Sequence, residues 1–336
     1  MSELFNYIEL SQSTKSKKNA IVEGILDAIS HNALVQGDPL PSVNRMIERL
    51  GVARMTVVKA LNILKEKGII VSEDKVGFFI RDTNVKRELK VFLFLNGFHA
   101  YHETIYESIM EGISGKDITI DLYFHHCNLR IFKTVIAENL GSYGLYVISG
   151  FDDPQVVSVL SKIPSKKLLQ IIREPVLEGV SSIIQDFYSG LKKSLEKLKE
   201  PLAKYQRFVL VFPLRKGHPE KIKTAFAEFC AEIGMEHQIV KKVSRELVSK
   251  GTAFWVIEDS DLISLIKISG ELQLKLGQDL GILSYNETPM KEIIRSGISV
   301  VSVDFVKLGH SISRFIANPK PTFEIYYPEV IIRNSL

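Results

Sequence analysis

Between residues 90 and 303 the chain alternates short β-branched and aromatic runs with amphipathic helix patterns. No other feature limits its fold so sharply. The runs fall at 90–95, 118–124, 144–148, 167–172, 182–184, 208–212, 236–240, 252–256, 280–284 and 299–303. Helical spacing follows several of them, at 103–113, 188–198, 221–233 and 261–276. Parallel strands cannot be joined by tight turns. They need crossovers, and helices supply them, so the pattern predicts a doubly wound α/β domain. Some ten strands are many for one open sheet. Two lobes of similar build with a cleft between them is the expected architecture.

The first 80 residues have a different texture. Ile21, Val22, Ile25, Leu26 and Ile29 mark one face of a helix over 18–33. Gly37-Asp38-Pro39-Leu40-Pro41 breaks it, and Ser42 is a natural N-cap for a short helix to Leu50. Gly51 ends that helix. A third helix over 53–67 carries Val57, Leu61 and Leu64 inward and stops at Gly68. Two β runs, 69–71 and 78–80, flank a polar turn. Helix, helix, turn, helix, hairpin is the layout of a winged helix-turn-helix. The polar stretch after Arg81 reads as a linker, which gives domains at 1–83 and 90–336 with a linker at 84–89.

Composition narrows the class further. The 336 residues contain no apolar run long enough for a membrane span, and residues 1–10 lack an apolar signal core, so a cytoplasmic protein is expected. Cys127 and Cys230 stand far apart, as in a reduced compartment without structural zinc. His125-His126-Cys127 reads as a strand end, with no second ligand cluster at usable spacing, so no metal is expected. The net charge is +4, and residues 1–90 hold 14 Lys and Arg against 11 Asp and Glu, a mild basic footprint at the N-terminal end. Phosphate-binding glycine loops, dinucleotide fingerprints and nucleophile elbows are absent from the sequence. The chain is therefore expected to be neither an enzyme nor dependent on a cofactor. The competing reading is a cytoplasmic two-lobed enzyme acting on a sugar.

Several linked motifs in residues 18–81 resemble the GntR family of winged-helix regulators: Gly37-Asp-Pro-Leu-Pro-Ser42, Leu50-Gly-Val-Ala-Arg-Met-Thr-Val57, Ala60-Leu-Asn-Ile-Leu64 and Gly68-Ile-Ile70. The resemblance implies double-stranded operator DNA as partner. Arg54 and Thr56 open the third helix, which in this motif enters the major groove, where Arg donates two hydrogen bonds to guanine and Thr reaches a phosphate or a thymine methyl. Lys59 stands one turn further on, suited to a phosphate. Ser42 opens the second helix against the DNA backbone. The family's Arg two residues after that Ser is here Asn44, with Arg45 beside it, and either residue can take the contact. Lys75 and Gly77 belong to the wing, where Lys75 replaces the first of two usual glycines. Met55 replaces a usual Thr or Ser.

The remainder resembles the periplasmic-binding-protein-like domain of LacI-family regulators. The resemblance rests on Lys90–Leu95 with the helix at His102–Gly112, the strand Gly144–Ser149, Asp186-Phe-Tyr-Ser-Gly190, Leu280–Pro289 and the closing Pro328–Ser335. It implies a regulator of carbohydrate-utilisation genes, controlled by a monosaccharide-like effector in the interlobe cleft, and a homodimer reading a pseudo-palindrome. Ligands in such folds lie at strand C-termini. The strand ends supply Phe98, His99, Tyr101, Arg173, Asp186, Arg215, Asp259, Asp261 and Asn286 as effector-binding candidates. Carboxylates and amides suit sugar hydroxyls, and an aromatic ring suits a C–H face. Six of these have structural alternatives: Phe98 and Tyr101 could be packing, Arg173 could pair with Glu174 at the surface, and Asp186, Asp259 and Asp261 could each cap the helix that follows.

Overall fold

The structure is a computed structural model and describes residues 2–12, 16–74, 76–83, 88–174, 176–214 and 217–336. Lys75, Arg215 and residues 84–87 of the expected linker lie outside the described residues. The chain divides into two compact units, Met1–Leu89 with Ala137–Gly144, and Lys90–Ile136 with Leu145–Leu336.

The first unit contains α1 (Ser2–Gln12), α2 (Lys17–Ser30), α3 (Val43–Leu50), α4 (Arg54–Glu66), β1 (Ile70–Glu73) and β2 (Gly77–Ile80). The expected winged-helix order is present. Ser42 caps α3 by accepting from the Arg45 N–H, and Gly51, at φ 60°, closes it in the left-handed conformation that favours glycine. α2 stops at Ser30, earlier than its apolar pattern, because the chain turns through Asn32 at φ 56°. β1 and β2 pair antiparallel, and the Gly37–Leu40 stretch joins them as a third edge through Gly37 N–H to Ile80 O (2.8 Å) and Leu40 N–H to Phe78 O (2.8 Å). The core forms where Ile21, Ile25, Met46, Val57, Leu61, Leu64 and Ile70 meet. Burying each such side chain contributes about 1.5–3 kcal/mol.

Helix α1 was not foreseen. Its Leu4, Phe5 and Ile8 are buried against α2. The two helices cross so closely at Gly24 that a Cβ there would lie 2.6 Å from the Ile8 Cα.

The second unit has two six-stranded sheets. One lobe holds β3 (Leu89–Leu95), α5 (Ala100–Gly112), β4 (Ile118–Phe124), α6 (Leu129–Asn139), β5 (Leu145–Ser149), α7 (Pro154–Leu160), β6 (Leu168–Ile172) and β7 (Ser181–Gln185). The other holds α8 (Ser189–Leu195), α9 (Lys199–Leu202), β8 (Arg207–Val211), α10 (Lys221–Glu232), β9 (Glu236–Val240), β10 (Thr252–Val256), α11 (Asp259–Glu271), β11 (Leu280–Tyr285), α12 (Pro289–Ile293) and β12 (Ser299–Ser302). Then α13 (Phe305–Ala317) packs on α5, β13 (Phe323–Tyr326) joins β7 in the first sheet, and β14 (Glu329–Ile331) joins β12 in the second. The chain thus passes between the lobes three times. β5 pairs with β6, β6 with β7, β8 with β10 and β10 with β11, all in parallel, and β14 runs antiparallel to β12.

The ten expected strands of this unit are all present, with ends moved by a residue or so. The two additional strands, β13 and β14, are four and three residues long and lie at sheet edges, where an alternating half-buried pattern is too short to read. α5 and α13 approach closely because small residues face each other. A Cβ on Gly309 would stand 2.6 Å from the Ser108 Cβ, and one on Gly112 2.6 Å from the Ser313 Cβ.

Candidate functional site

In the first unit, helical periodicity sorts α4 into two faces. Val57, Ala60, Leu61 and Leu64 are buried, which leaves Arg54, Met55, Lys59 and Asn62 exposed on the other side. The N-cap of α4, Ala53, has no side chain able to cap the helix, and within the first turn the Thr56 N–H bonds the Ala53 carbonyl at 2.9 Å. Arg54 Nη1 donates to Asn44 Oδ1 at 3.1 Å, which ties the first turn of α4 to α3. Asn44 and Arg45 are both exposed, so the two residues left open by the sequence have different settings: Asn44 orients Arg54, and Arg45 stands beside that pair. Thr56 is half-buried, and Gly77 starts β2 at φ 141°. Met55 is 62% exposed, a large apolar group presented on the same surface as Arg54.

In the second unit, strand C-termini from both lobes converge on two adjoining cavities. One, of about 620 Å³, is lined by Asn96, Gly97, Phe98, His99, His126, Cys127, Asn128, Gly217, His218 and Glu258. The other, of about 370 Å³, shares Cys127, Gly217 and His218 and adds Arg173 among its lining residues. Phe98, His99 and Arg173 therefore come together as the sequence suggested. Phe98 is 84% exposed and tilts over Phe124 at 5.0 Å. Tyr101 sits just behind this wall, stacked on Phe305 at 4.8 Å and parallel to His99. Burial raises the pKa of the Tyr101 hydroxyl.

Arg173 follows β6 and is 5% exposed. Its guanidinium lies 5.7 Å from the centre of the Phe187 ring, and its Nε has no hydrogen-bond partner. Around it stand histidines that burial keeps neutral: His102 is lowered to about 3, His125 to about 4 and His218 to about 3, with the positive charge of Arg173 pushing each the same way. His125 has both ring nitrogens engaged. Its Nε2 donates to Ser149 O at 2.9 Å, and its Nδ1 accepts the Cys127 N–H at 3.1 Å, which pins the turn where His126 and Cys127 take positive φ.

The acidic candidates are placed elsewhere. Asp186 lies where the chain first crosses between lobes, and its carboxylate accepts from the Tyr188 N–H (2.8 Å), the Gly190 N–H (3.0 Å) and the Ser189 hydroxyl (2.6 Å). Burial alone would raise its pKa, but the hydrogen bonds from Ser189, Tyr188 and Gly190 outweigh burial and hold it below the usual carboxylate range. This is the capping arrangement rather than a free ligand group. Gly190 has its own reason: a Cβ there would stand 2.3 Å from the Tyr327 ring. Asp261 is buried and accepts the Val243 N–H at 3.2 Å. Asp259 pairs at 2.9 Å with Lys291, whose buried ammonium also holds the Tyr285 and Asn286 carbonyls. None of these three aspartates lines either cavity. Asn286 turns the chain after β11 at φ 60° and keeps a buried Oδ1 without a partner.

Sequence reasoning missed His218, Asn96 and Tyr285. His218 lies between β8 and α10, away from any strand end, and lines both cavities, so only the folded chain shows it. Tyr285 is the last residue of β11, accepts from Gln185 Nε2 at 3.1 Å and could have been found by extending that strand one residue.

Residues 17–80 match the model of the bacterial regulatory proteins of the gntR family. No curated protein sequence matches the chain significantly. Among solved structures, the chain is similar to the trehalose repressor from Escherichia coli (12% identity, TM-score 0.60, covering 73% of this chain and 100% of that one). It is similar to a LacI family transcriptional regulator from Lactobacillus casei with bound sucrose (10% identity, TM-score 0.60, 74% and 99% covered). A third similar structure is a periplasmic binding protein/LacI transcriptional regulator from Alkaliphilus metalliredigens complexed with D-xylulofuranose (12% identity, TM-score 0.57, 73% and 98% covered). The chain joins a GntR-family DNA-binding domain at residues 17–80 to a two-lobed unit with the fold of LacI-type regulators.

Proposed function

We propose that the protein is a sequence-specific DNA-binding transcription regulator, not an enzyme, whose operator affinity is set by a small sugar-like effector in the cleft of the two-lobed unit. The observation that carries the reading is the division of α4. One face is buried as core and the other presents Arg54, Met55, Lys59 and Asn62 to solvent within a segment matched to a DNA-binding family. The fold of the second unit and the sugars bound to proteins of that fold support the effector class. The expected domain limits, 1–83 and 90–336, serve this division of labour, and the protein acts in the cytoplasm.

In this reading Arg54 reads guanine, oriented by Asn44, while Met55 suits a thymine methyl and Lys59, Arg45 and Lys75 contact phosphates. Ser42, Thr56 and Gly77 position backbone and wing. One winged helix covers few base pairs, so we propose a homodimer on a pseudo-palindrome. Within the cleft, Phe98, His99 and Arg173 line the cavities and hold the effector, Tyr101 and Asn286 support it from positions outside their lining, and Arg215 is placed by sequence alone. The test is selection of bound duplexes from a random pool by the full chain. An enriched palindromic sequence is expected, and recovery without any enrichment would remove the reading.

A further inference from the structure

A guanidinium keeps its charge at any physiological pH, and burying it without a counter-ion is costly. Arg173 is in that situation. It is 95% removed from solvent, since only 5% of it is exposed, and its Nε faces no acceptor. Among the described residues no carboxylate lies within 4.0 Å of it, although it lines a cavity. The carboxylates that line the two cavities are Asp152, Glu220 and Glu258. The first two are exposed, Glu258 is half-exposed, and Glu220 pairs with Lys223.

The aspartates that a neutral sugar would use as acceptors are committed elsewhere, Asp186 to a helix cap, Asp261 to the Val243 N–H and Asp259 to Lys291. The imidazoles around Arg173 are uncharged, so nothing buried beside it balances its charge. The cleft therefore offers a strong fixed donor and lacks the matching acceptor. We propose that the effector is an anion, a small polar molecule carrying a phosphate or carboxylate that Arg173 grips through paired N–H donors. Such pairing is geometrically specific and roughly twice as strong as a neutral hydrogen bond. This rests on the cleft being the effector site, and it narrows the sugar-like class to phosphorylated or acidic members.

The test uses the full chain at constant ionic strength, with inorganic phosphate, acetate and chloride as probes, followed by glucose, glucose 6-phosphate and glucuronate. Phosphate or acetate is expected to raise the melting temperature of the wild type over chloride by about 2–4 °C. Arg173→Met should lose that rise and should itself melt higher than the wild type in chloride, since it removes an unpaired buried charge. A larger rise with phosphate assigns a phosphorylated ligand, and a larger rise with acetate an acidic one. Equal oxyanion shifts in wild type and Arg173→Met, no oxyanion shift at all, or a neutral sugar that stabilises both proteins alike would each overturn the proposal. Operator binding is measured in the same samples. Oxyanion binding through Arg173 with no effect on DNA would leave this inference standing and count against the regulatory reading. Release of DNA by glucose alone would do the reverse.

Discussion

The two units treat positive charge in opposite ways. The winged-helix unit keeps Arg54 and Lys59 exposed, with Arg54 donating to a neutral amide, that of Asn44. The effector unit buries Arg173 among neutral imidazoles. An exposed cation costs little to keep and is screened by salt, so it suits a polyanion that is found and released. A buried cation is weakly screened and destabilises its surroundings until a ligand answers it. One unit is built to meet a surface, and the other to wait for a small molecule.

Acid should separate the units most strongly. His102, His125 and His218 are neutral when folded, with pKa values of about 3, 4 and 3, whereas an unfolded histidine titrates near 6.5. The folded state therefore binds fewer protons, so the stability these groups contribute is complete above about pH 6.5 and is lost as pH falls toward the folded values. Arg173, His99 and His126, their charged or ionisable neighbours, oppose protonation further. Each group contributes about 1.4 kcal/mol per pH unit in that window. The winged-helix unit has one histidine, His31, and it is at the surface. Calorimetry between pH 7 and pH 5 should show the effector unit losing several kcal/mol while the winged-helix transition moves less. A common shift of both would dissolve the contrast.

Next in size is base reading. Arg54→Ala should cost roughly 1–3 kcal/mol per half-site and relax sequence preference, measured by anisotropy on the selected operator and on single-base variants. Unchanged preference would mean that α4 does not read bases.

Asp186→Ala should lower stability by about 1 kcal/mol by uncapping α8 and leave effector affinity within a few-fold of wild type. A tenfold loss of affinity at unchanged stability would restore Asp186 as a ligand group. The smallest effect belongs to Lys59. Lys59→Ala should weaken binding to all sequences alike and reduce the salt slope by about one unit.

What could be read from sequence follows the same division. Caps and stops at Ser42, Gly51 and Gly68 are local chemistry, and they placed α3 and α4 to within a residue. The buried parallel strands were visible because both faces are covered and the runs are continuous. Strands β13 and β14 were not, because their identity comes from neighbours distant in sequence: Phe323–Tyr326 pairs with Ser182–Gln185. The cleft shows the limit most plainly. Strand ends led to Arg173 and His99, which line the two cavities, but an aspartate at a strand end looks the same in sequence whether it faces a ligand or caps the next helix. Only the folded chain shows that Asp186 is bonded to Tyr188, Ser189 and Gly190. His218 was invisible for the converse reason, since it comes from a loop that the fold brings to the wall.

The most direct test of the whole account is the affinity of the full chain for its selected operator with and without the cleft ligand, in wild type and Arg173→Met. The account predicts a change of at least tenfold on adding the anionic ligand to wild type, about 1.4 kcal/mol of coupling, and none in the variant. Operator affinity that is indifferent to a ligand bound through Arg173 would contradict it.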